Sequence, residues 1–195
     1  MRGLTTNWIL TLSASALGLA VLTPIVLACV RPRTLDEQML FAGDEVVVGR
    51  VQSIEERWAK EMNGESVLWT VVDFRAEESL VSGAHNFDLK FFFRGGVRPG
   101  SPTTSITPSS EDVREGRRLL VFLALRRFGE ATFGAGTYQV DSYAEVYRVL
   151  SFTDSSGVER EVVVGKGGGF AFQENAHLAD ARVQVGQIAA KRQRK

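Results

Sequence analysis

The chain has 195 residues, of which 44% are hydrophobic and 24% charged, a composition typical of an ordinary globular domain. Lysine and arginine together number 23 and equal the 23 aspartate and glutamate residues, so the formal net charge is zero. Dedicated nucleic-acid-binding proteins carry a basic excess, so this balance argues against a nucleic-acid partner. The length suggests one domain with short additions.

Residues 1–28 differ from the rest of the chain and predict a secretory signal peptide. Arg2 is the only charged residue before Arg31, and the stretch between them is apolar. A positive start, an apolar run and small residues before the cleavage site are typical of an exported protein. The alternative is an uncleaved membrane anchor, since a spanning helix needs about 20 apolar residues. Pro24 and the small Ala28 favour cleavage.

The single cysteine of the chain, Cys29, directly follows Val26-Leu27-Ala28. This segment resembles the lipobox of bacterial lipoproteins, in which the cysteine is lipidated and becomes the first residue of the mature protein. A lone free thiol suits an oxidising compartment poorly. We therefore expect a lipoprotein anchored to the membrane of the cell envelope through Cys29, with about 0.8 kcal/mol of binding free energy per buried CH2. Without lipidation the protein would be secreted.

The segment that follows predicts one short helix and then a strand. Thr34–Glu37 has the capping-box pattern, and Gly43 is placed to end a helix over residues 35–42. Residues 45–54 are rich in β-branched side chains and lack a helical period, which predicts a strand. Gly49 in the middle of that strand indicates a bulge or a sharp bend.

Further strands are predicted at residues 66–80, 87–94, 117–125, 138–152 and 158–164. The strand at 66–80 alternates apolar and polar residues, which predicts one buried and one solvent-exposed face. Residues 95–116 form a long polar loop that is either mobile or functional. A helix is predicted from residue 174 to about 190, followed by a solvated basic tail.

Nothing in the sequence indicates catalysis, a metal site or a cofactor. The two histidines, His85 and His177, lie far apart in the chain without clustered ligands, although a metal site needs several ligands close together. No nucleophile has a base beside it, and the Gly-x-Ser-x-Gly elbow is absent. The segment Gly165–Gly169 lacks the spacing of a phosphate-binding loop and predicts a flexible connection before the last helix. We therefore expect that the protein is not an enzyme.

The order of these motifs resembles the netrin-like domain, the OB-type barrel of the tissue inhibitors of metalloproteinases and of similar bacterial exported proteins. The resemblance covers residues 29–152 and rests on Cys29-Val30, Phe41–Val51, Phe74, Glu115–Leu123 and Tyr147–Phe152. In those inhibitors the mature chain begins with a cysteine whose amine and carbonyl chelate the zinc ion of the target protease. The resemblance therefore implies that Cys29 and Val30 form an inhibitory edge. Acylation of the Cys29 amine would prevent that chelation, so a lipidated protein would share the fold rather than the activity.

The predicted fold is mainly β: a small OB-type, netrin-like β-barrel at residues 29–152 with a short N-terminal helix. A C-terminal extension at 153–195 carries a strand and a helix. OB-type barrels bind partners on one strand face and through their loops.

The first functional hypothesis is a non-enzymatic binding module for a protein or peptide partner at the cell envelope. Its contact residues are expected in the polar loop and are Arg98, Ser101, Thr103 and Thr104. The second hypothesis is a metalloendopeptidase inhibitor that acts through a free Cys29, and the third is a structural envelope protein.

Overall fold

A computed structural model describes residues 34–61 and 63–194. The predicted signal peptide, Cys29 and Val30 lie outside the described residues. A short 3-10 helix at Tyr143–Glu145 precedes the sixth strand. In chain order the other elements are α1 (Leu35–Ala42), β1 (Glu45–Lys60), β2 (Ser66–Ser79), β3 (His85–Arg94), β4 (Arg118–Leu125), α2 (Arg127–Phe133), β5 (Thr137–Gln139), β6 (Val146–Thr153), β7 (Glu159–Val163), β8 (Ala176–His177) and α3 (Leu178–Gln193).

The fold is mainly β, as predicted, and its first five strands close into a ring. Strands β1, β2 and β3 form an antiparallel meander, and β4 returns to pair with the other side of β1. This order of four strands is a Greek key. The short β5 lies between β3 and β4, parallel to β3 and antiparallel to β4, and closes the ring.

The last three strands continue the sheet away from the ring. Strand β6 pairs with β4, β7 pairs with β6, and β8 pairs with β7. The β6–β7 hairpin runs from the pair Val149–Val163 to the pair Thr153–Glu159, so it crosses the expected boundary at residue 152. The C-terminal segment thus packs as part of the same sheet.

Strand β1 carries a β-bulge at Gly49, in the segment that pairs with both β2 and β4. Its pairing with β2 shifts register between Val48 and Gly49, which confirms the predicted irregularity. A Cβ atom on Gly49 would collide with the carbonyl oxygen of Arg75 and lie 2.7 Å from Ala76 Cα. Only glycine allows this close approach, and β-bulges increase the local twist and curvature that a closed sheet needs.

The buried side chains form two main cores on opposite sides of β1 and β4. The interior of the ring is filled mostly by aliphatic and aromatic side chains: Val47, Val51, Val72, Phe74, Leu89, Phe91, Phe93, Leu119, Val121, Leu123 and Val146. The second core lies between the outer face of β1 and β4 and the helices α1 and α3. It includes Met39, Val46, Val48, Leu120, Phe122, Tyr147, Leu178, Ala181 and Val185.

Helix α1 forms as predicted and is fixed by the C-terminal helix. The capping box of Thr34 and Glu37 is present at its start. Near its end, Arg192 Nη1 donates hydrogen bonds to the carbonyl oxygens of Met39 at 2.6 Å and Gly43 at 3.0 Å. Carbonyls at a helix C-terminus lack partners within the helix, so a guanidinium stabilises them. Arg192 is exposed, as predicted for the basic tail, but its guanidinium also stabilises the end of α1.

The connection at Gly165–Gly169 was predicted to be flexible, but its lysine is anchored. Lys166 Nζ donates to the carbonyl oxygen of Tyr143 at 2.7 Å and lies 3.5 Å from Asp112 Oδ2. Burial lowers the pKa of Lys166, although Asp112 opposes this shift. The segment is therefore held against the 3-10 helix and the polar loop.

The sequence predicts a strand at 138–152 with a break near Ser142, and a 3-10 helix divides the segment there into β5 and β6. Other predicted details differ from the structure. The last helix begins at Leu178 instead of residue 174, since the two preceding residues pair with β7 as β8. In β2, residues 67–72 are buried on both faces, so the predicted solvent face begins only at Asp73.

We expect Gly49→Ala to destabilise the fold by about 3 kcal/mol, because a methyl group has no space against β2. Urea denaturation measures the change in the free energy of unfolding. Gly186→Ala is the matched control: Gly186 lies in α3 with open space around its Cα, and alanine there should stabilise by about 0.5–1 kcal/mol. Equal effects of the two substitutions would contradict this account of the bend.

Candidate functional site

The outer face of β2 changes character halfway along the strand. Its first half carries Val67, Trp69 and Val71, which form a small apolar cluster with Phe92 of β3. Its second half carries charged side chains, beginning with Asp73. Because side chains alternate along a strand, these residues share one face with different chemistry at its two ends.

Helix α2 covers the apolar half of this face. The helix supplies Phe128 and Phe133 and ends at Gly134, whose backbone N–H donates to the Glu130 carbonyl. Gly129 permits the close packing, since a Cβ there would lie 2.7 Å from Phe92 Cζ. The sequence analysis missed this helix because seven residues are too few for a clear apolar period.

Three phenylalanine rings surround Trp69. The centroid of the Trp69 ring lies 5.2 Å from that of Phe128 and 5.5 Å from that of Phe92. Phe133 contacts both Trp69 and Phe92, with centroid distances of 6.0 Å and 4.6 Å. The guanidinium of Arg57 lies 4.5 Å from the Phe133 ring centroid, a cation–π contact on the outside of the cluster. These contacts fix the orientation of Trp69.

A cavity of about 380 Å3 opens beside these rings, and we call it the aromatic pocket. Trp69 and Phe128 provide its apolar wall, and Glu61, Asn63 and Gln139 provide polar groups. Trp69 is 5% exposed, and its Nε1 has no hydrogen-bond partner among the described residues. A buried donor without a partner costs about 1–3 kcal/mol. The pocket therefore offers apolar surface to a ligand, and the Trp69 ring in its wall carries a buried donor without a partner.

The polar rim of the aromatic pocket is held by the turn between β1 and β2. The backbone N–H of Glu65 donates to Asn63 Oδ1 at 2.9 Å, and the N–H of Gly64 donates to the Glu61 carbonyl at 2.9 Å. Arg94 Nε lies 3.7 Å from Glu61 Oε1. The Asn63-Gly64 pair in this turn is a common turn signal in a sequence, whereas no local pattern indicates its position beside Trp69.

The charged half of the same face forms a separate open groove of about 500 Å3. Two ion pairs cross from β2 to β3: Asp73 with Lys90 at 3.0 Å and Arg75 with Asp88 at 3.1 Å. The Ser53 hydroxyl donates to Asp73 at 2.7 Å. This hydrogen bond and the nearby Lys90 lower the pKa of Asp73. The charged side chains of this groove already form ion pairs with one another. The groove therefore has fewer polar groups that lack a hydrogen-bond partner than the aromatic pocket.

The structure places the predicted loop residues at the same end of the ring as the aromatic pocket. The loop starts at Gly95, which accepts a hydrogen bond from Thr70 Oγ1 at 2.6 Å, next to Trp69 in β2. Arg98 and Ser101 are held against β1, whereas Thr103 and Thr104 are exposed. The four predicted residues do not converge on one cavity, although they belong to one continuous loop.

Glu56 of β1 anchors the start of this loop. Its Oε1 accepts from the backbone N–H of Val97 at 2.6 Å and of Arg98 at 2.7 Å, and its Oε2 accepts from Ser101 Oγ at 2.5 Å. Arg98 Nη2 also donates to the Ile54 carbonyl at 3.0 Å. Partial burial raises the pKa of Glu56, but these hydrogen bonds outweigh it and leave the pKa below 4.5.

Within the described ranges, no group of three or more His, Cys, Asp and Glu side chains is placed to hold a metal ion. No helix in the described part of the chain is long and apolar enough to cross a membrane.

The predicted lipidation site Cys29 and its neighbour Val30 lie outside the residues that the structure describes. Comparison of the chain with protein-family models, curated proteins and solved structures finds no match.

We expect Glu56→Ala to release residues 97–101 and to destabilise the protein by about 1–2 kcal/mol, because three hydrogen bonds to a partly screened carboxylate are lost. The folded pKa lies below the ordinary value, so this stabilisation is complete above about pH 4.5 and disappears as the pH falls through the folded pKa. Amide hydrogen exchange of Val97 and Arg98 measures the release.

The control for this substitution is Glu55→Ala, which removes the same charge from an exposed neighbour on the opposite face of β1. That variant should leave the exchange of both amides unchanged. If the amides of Val97 and Arg98 exchanged as slowly in Glu56→Ala as in the wild type, the Glu56 carboxylate would not be the anchor of the loop.

Proposed function

We propose that this protein is an exported, lipid-anchored and non-enzymatic binding module at the bacterial cell envelope. An OB-type barrel of the netrin-like kind would bind a segment of a protein or peptide partner, with an apolar side chain of the partner in the aromatic pocket. Lipid on Cys29 would hold the module at the membrane.

The strand order supports the OB-type assignment. Five strands close into a ring with Greek-key order, and a short helix precedes the ring, as the resemblance to the netrin-like domain implies. OB-type barrels bind ligands on the face of strands 2 and 3 and through the loops between strands 1 and 2 and between strands 4 and 5. The aromatic pocket is built from these parts: the turn at 61–65, β2 and the connection that contains α2.

The observation that carries the proposal is the unpartnered Nε1 donor of Trp69 beside an apolar cavity. Buried polar groups are almost always hydrogen-bonded, so this donor needs an acceptor. A bound peptide that opens the pocket wall around this buried N–H would provide one through a backbone carbonyl, while a neighbouring aromatic or aliphatic side chain fills the cavity. Binding energy at protein interfaces concentrates in such buried anchor residues.

The inhibitor hypothesis depends on different residues. It needs a free amine at Cys29 and the adjacent Val30, whereas the binding module uses Trp69 and Phe128. The predicted loop residues Arg98, Ser101, Thr103 and Thr104 fit the binding module as secondary contacts, since their loop lies at the same end of the ring.

The aromatic pocket is tested with peptides selected from a random phage-displayed library against the full protein in detergent. We expect the selected peptides to share an aromatic or large aliphatic residue. In 1H–15N spectra they should shift the indole N–H signal of Trp69. The indole of Trp58, which is 62% exposed on β1, serves as the internal control.

Trp69→Phe removes the donor but keeps an aromatic ring, so we expect a folded protein that binds these peptides about tenfold more weakly, the equivalent of one hydrogen bond. Trp58→Phe should bind them as the wild type does. Selected peptides that leave the Trp69 signal unchanged and bind Trp69→Phe with full affinity would contradict the assignment of this pocket.

Intact-mass measurement of the protein purified from its native envelope tests export and anchoring. We expect a chain that starts at Cys29 and carries acyl groups on that residue. An unmodified chain starting at Cys29 would contradict the lipid anchor and would direct the next assay to inhibition of a zinc protease. A chain that retains residues 1–28 would contradict cleavage.

A further inference from the structure

A second cavity, separate from the aromatic pocket, lies between the turn before β4 and strand β6. It has a volume of about 500 Å3, and four of its nine lining residues are arginines: Arg50, Arg114, Arg117 and Arg118. We call it the arginine pocket. The remaining walls are Glu115, Gly116 and residues 149–151. Charge balance over the whole chain hides this local concentration of positive charge.

The backbone holds the arginine-bearing turn in place. The N–H of Gly116 donates to the Val51 carbonyl at 2.9 Å, and the N–H of Val51 donates to the Arg117 carbonyl at 3.0 Å. Gly116 has a φ of +76°, which glycine adopts without strain. Arg50 and Arg118 are directly opposite each other in the β1–β4 ladder. The cavity is therefore part of the sheet rather than of a mobile loop.

Two of the four arginines are already paired with carboxylates. Arg118 is 12% exposed, lies 2.7 Å from Glu77 and also pairs with Glu161. Arg50 Nε lies 3.3 Å from Glu77. These pairs bind the ring to the β6–β7 hairpin and build the floor of the pocket.

The other two arginines have unused donors. Among the described residues, neither Arg114 nor Arg117 forms an ion pair, and Arg117 Nε is buried without a hydrogen-bond partner. The nearby Asp112 is engaged by Arg148 at 3.8 Å and Lys166 at 3.5 Å. Burial and the positive charges of Arg114 and Arg148 lower the pKa of Arg117, and Asp112 and Glu111 only partly offset this. An anion bound by the guanidinium groups would relieve the repulsion between them.

We propose that the arginine pocket binds a phosphate-type oxyanion, with Arg117 and Arg114 as its principal ligands. A guanidinium donates two parallel hydrogen bonds to an oxyanion, and such charge-assisted bonds are about twice as strong as neutral ones. Several guanidinium groups around one cavity fit a tetrahedral group with three or four acceptor oxygens better than a planar carboxylate. This site does not depend on the function proposed for the aromatic pocket.

The cavity is larger than a phosphate ion and has an apolar side. Val149 and Leu150 line it, and the Leu150 side chain is 45% exposed. The same oxyanion chemistry is available from free phosphate or from the headgroup of an anionic lipid, whose glycerol and acyl carbons would contact Leu150. Glu115 at the rim carries a negative charge and would repel a broad anionic surface on a partner. The pocket therefore favours one bound oxyanion.

Binding is measured by titration of the full protein in zwitterionic detergent with inorganic phosphate, against sodium chloride at matched ionic strength. We expect phosphate to raise the melting temperature and to shift the side-chain Nε–H signal of Arg117, beyond the effect of chloride. Arg117→Met removes the unpartnered donor, so it should fold with unchanged or higher stability and bind phosphate about tenfold more weakly. Arg114→Met changes an exposed residue and should also weaken binding.

The matched control is Arg75→Met. Arg75 lies one strand away, directly opposite Arg50, and its ion pair with Asp88 gives it a similar surface position. The Arg75→Met substitution removes one positive charge, as Arg117→Met does, and should leave phosphate binding unchanged. Equal phosphate and chloride effects, or wild-type affinity in both Arg117→Met and Arg114→Met, would overturn the proposal. An equal loss in Arg75→Met would overturn it as well, since general electrostatic attraction would then suffice.

A second titration distinguishes the two sources of the anion. Dihexanoyl phosphatidic acid, a soluble lipid with a phosphate monoester headgroup, replaces inorganic phosphate. Tighter binding of the lipid that disappears in Leu150→Ser would support the site with a lipid headgroup as its ligand. Equal affinities would support the same site with free phosphate as its ligand.

Discussion

The β-bulge of β1 at Gly49 is the constraint on which the rest of the structure depends. At this glycine β1 lies close against Arg75 and Ala76 of β2, in the segment where its other edge pairs with β4. Strand β1 pairs with β2 over most of its length and with β4 over its first six residues. Because β4 can return to β1, the meander becomes a Greek key and β5 closes the ring. The turn at 61–65, the polar loop and α2 are then brought to one end, and the aromatic pocket forms there.

Charged side chains connect this ring to the C-terminal segment. Glu77 on β2 contacts Arg50 and Arg118, Glu161 on β7 contacts Arg118, and Arg182 on α3 reaches both Glu161 and Glu78. Burial of Arg118 lowers its pKa, but the two carboxylates outweigh the burial and raise it. Removing one member of such a partly buried network leaves an unpaired charge behind. The C-terminal strands and α3 are thus integrated into the domain by charge as well as by the second apolar core.

The main strands, the first helix and the Gly49 bend were predictable because their signals are local: β-branched runs, a capping box and a glycine inside a strand. Helix α2 and β8 were not, since each is short and is stabilised by tertiary contacts, as Gly129 against Phe92 illustrates. The residues around the aromatic pocket and the polar loop follow the same rule. Trp69 lies in β2, whose alternating pattern predicted one solvent-exposed face. Trp69 is buried only because α2 covers this part of the strand. Likewise, no local pattern links Glu56 to a loop some forty residues later. The expectation for Cys29 rests on the sequence alone, because this residue lies outside the part of the chain that the structure describes.

The contact of Arg192 with the end of α1 has a mechanical consequence. If the chain is tethered at Cys29, a force applied by the membrane would act first on α1. The carbonyls at the end of this helix accept hydrogen bonds from Arg192 of the C-terminal helix. The next link is Asp44, whose N–H donates to Leu123 and whose carboxylate accepts from the N–H of Leu125 on β4. Tension on the tether is therefore shared between the last helix and the strand pair that closes the ring, and the two ends of the chain resist it together.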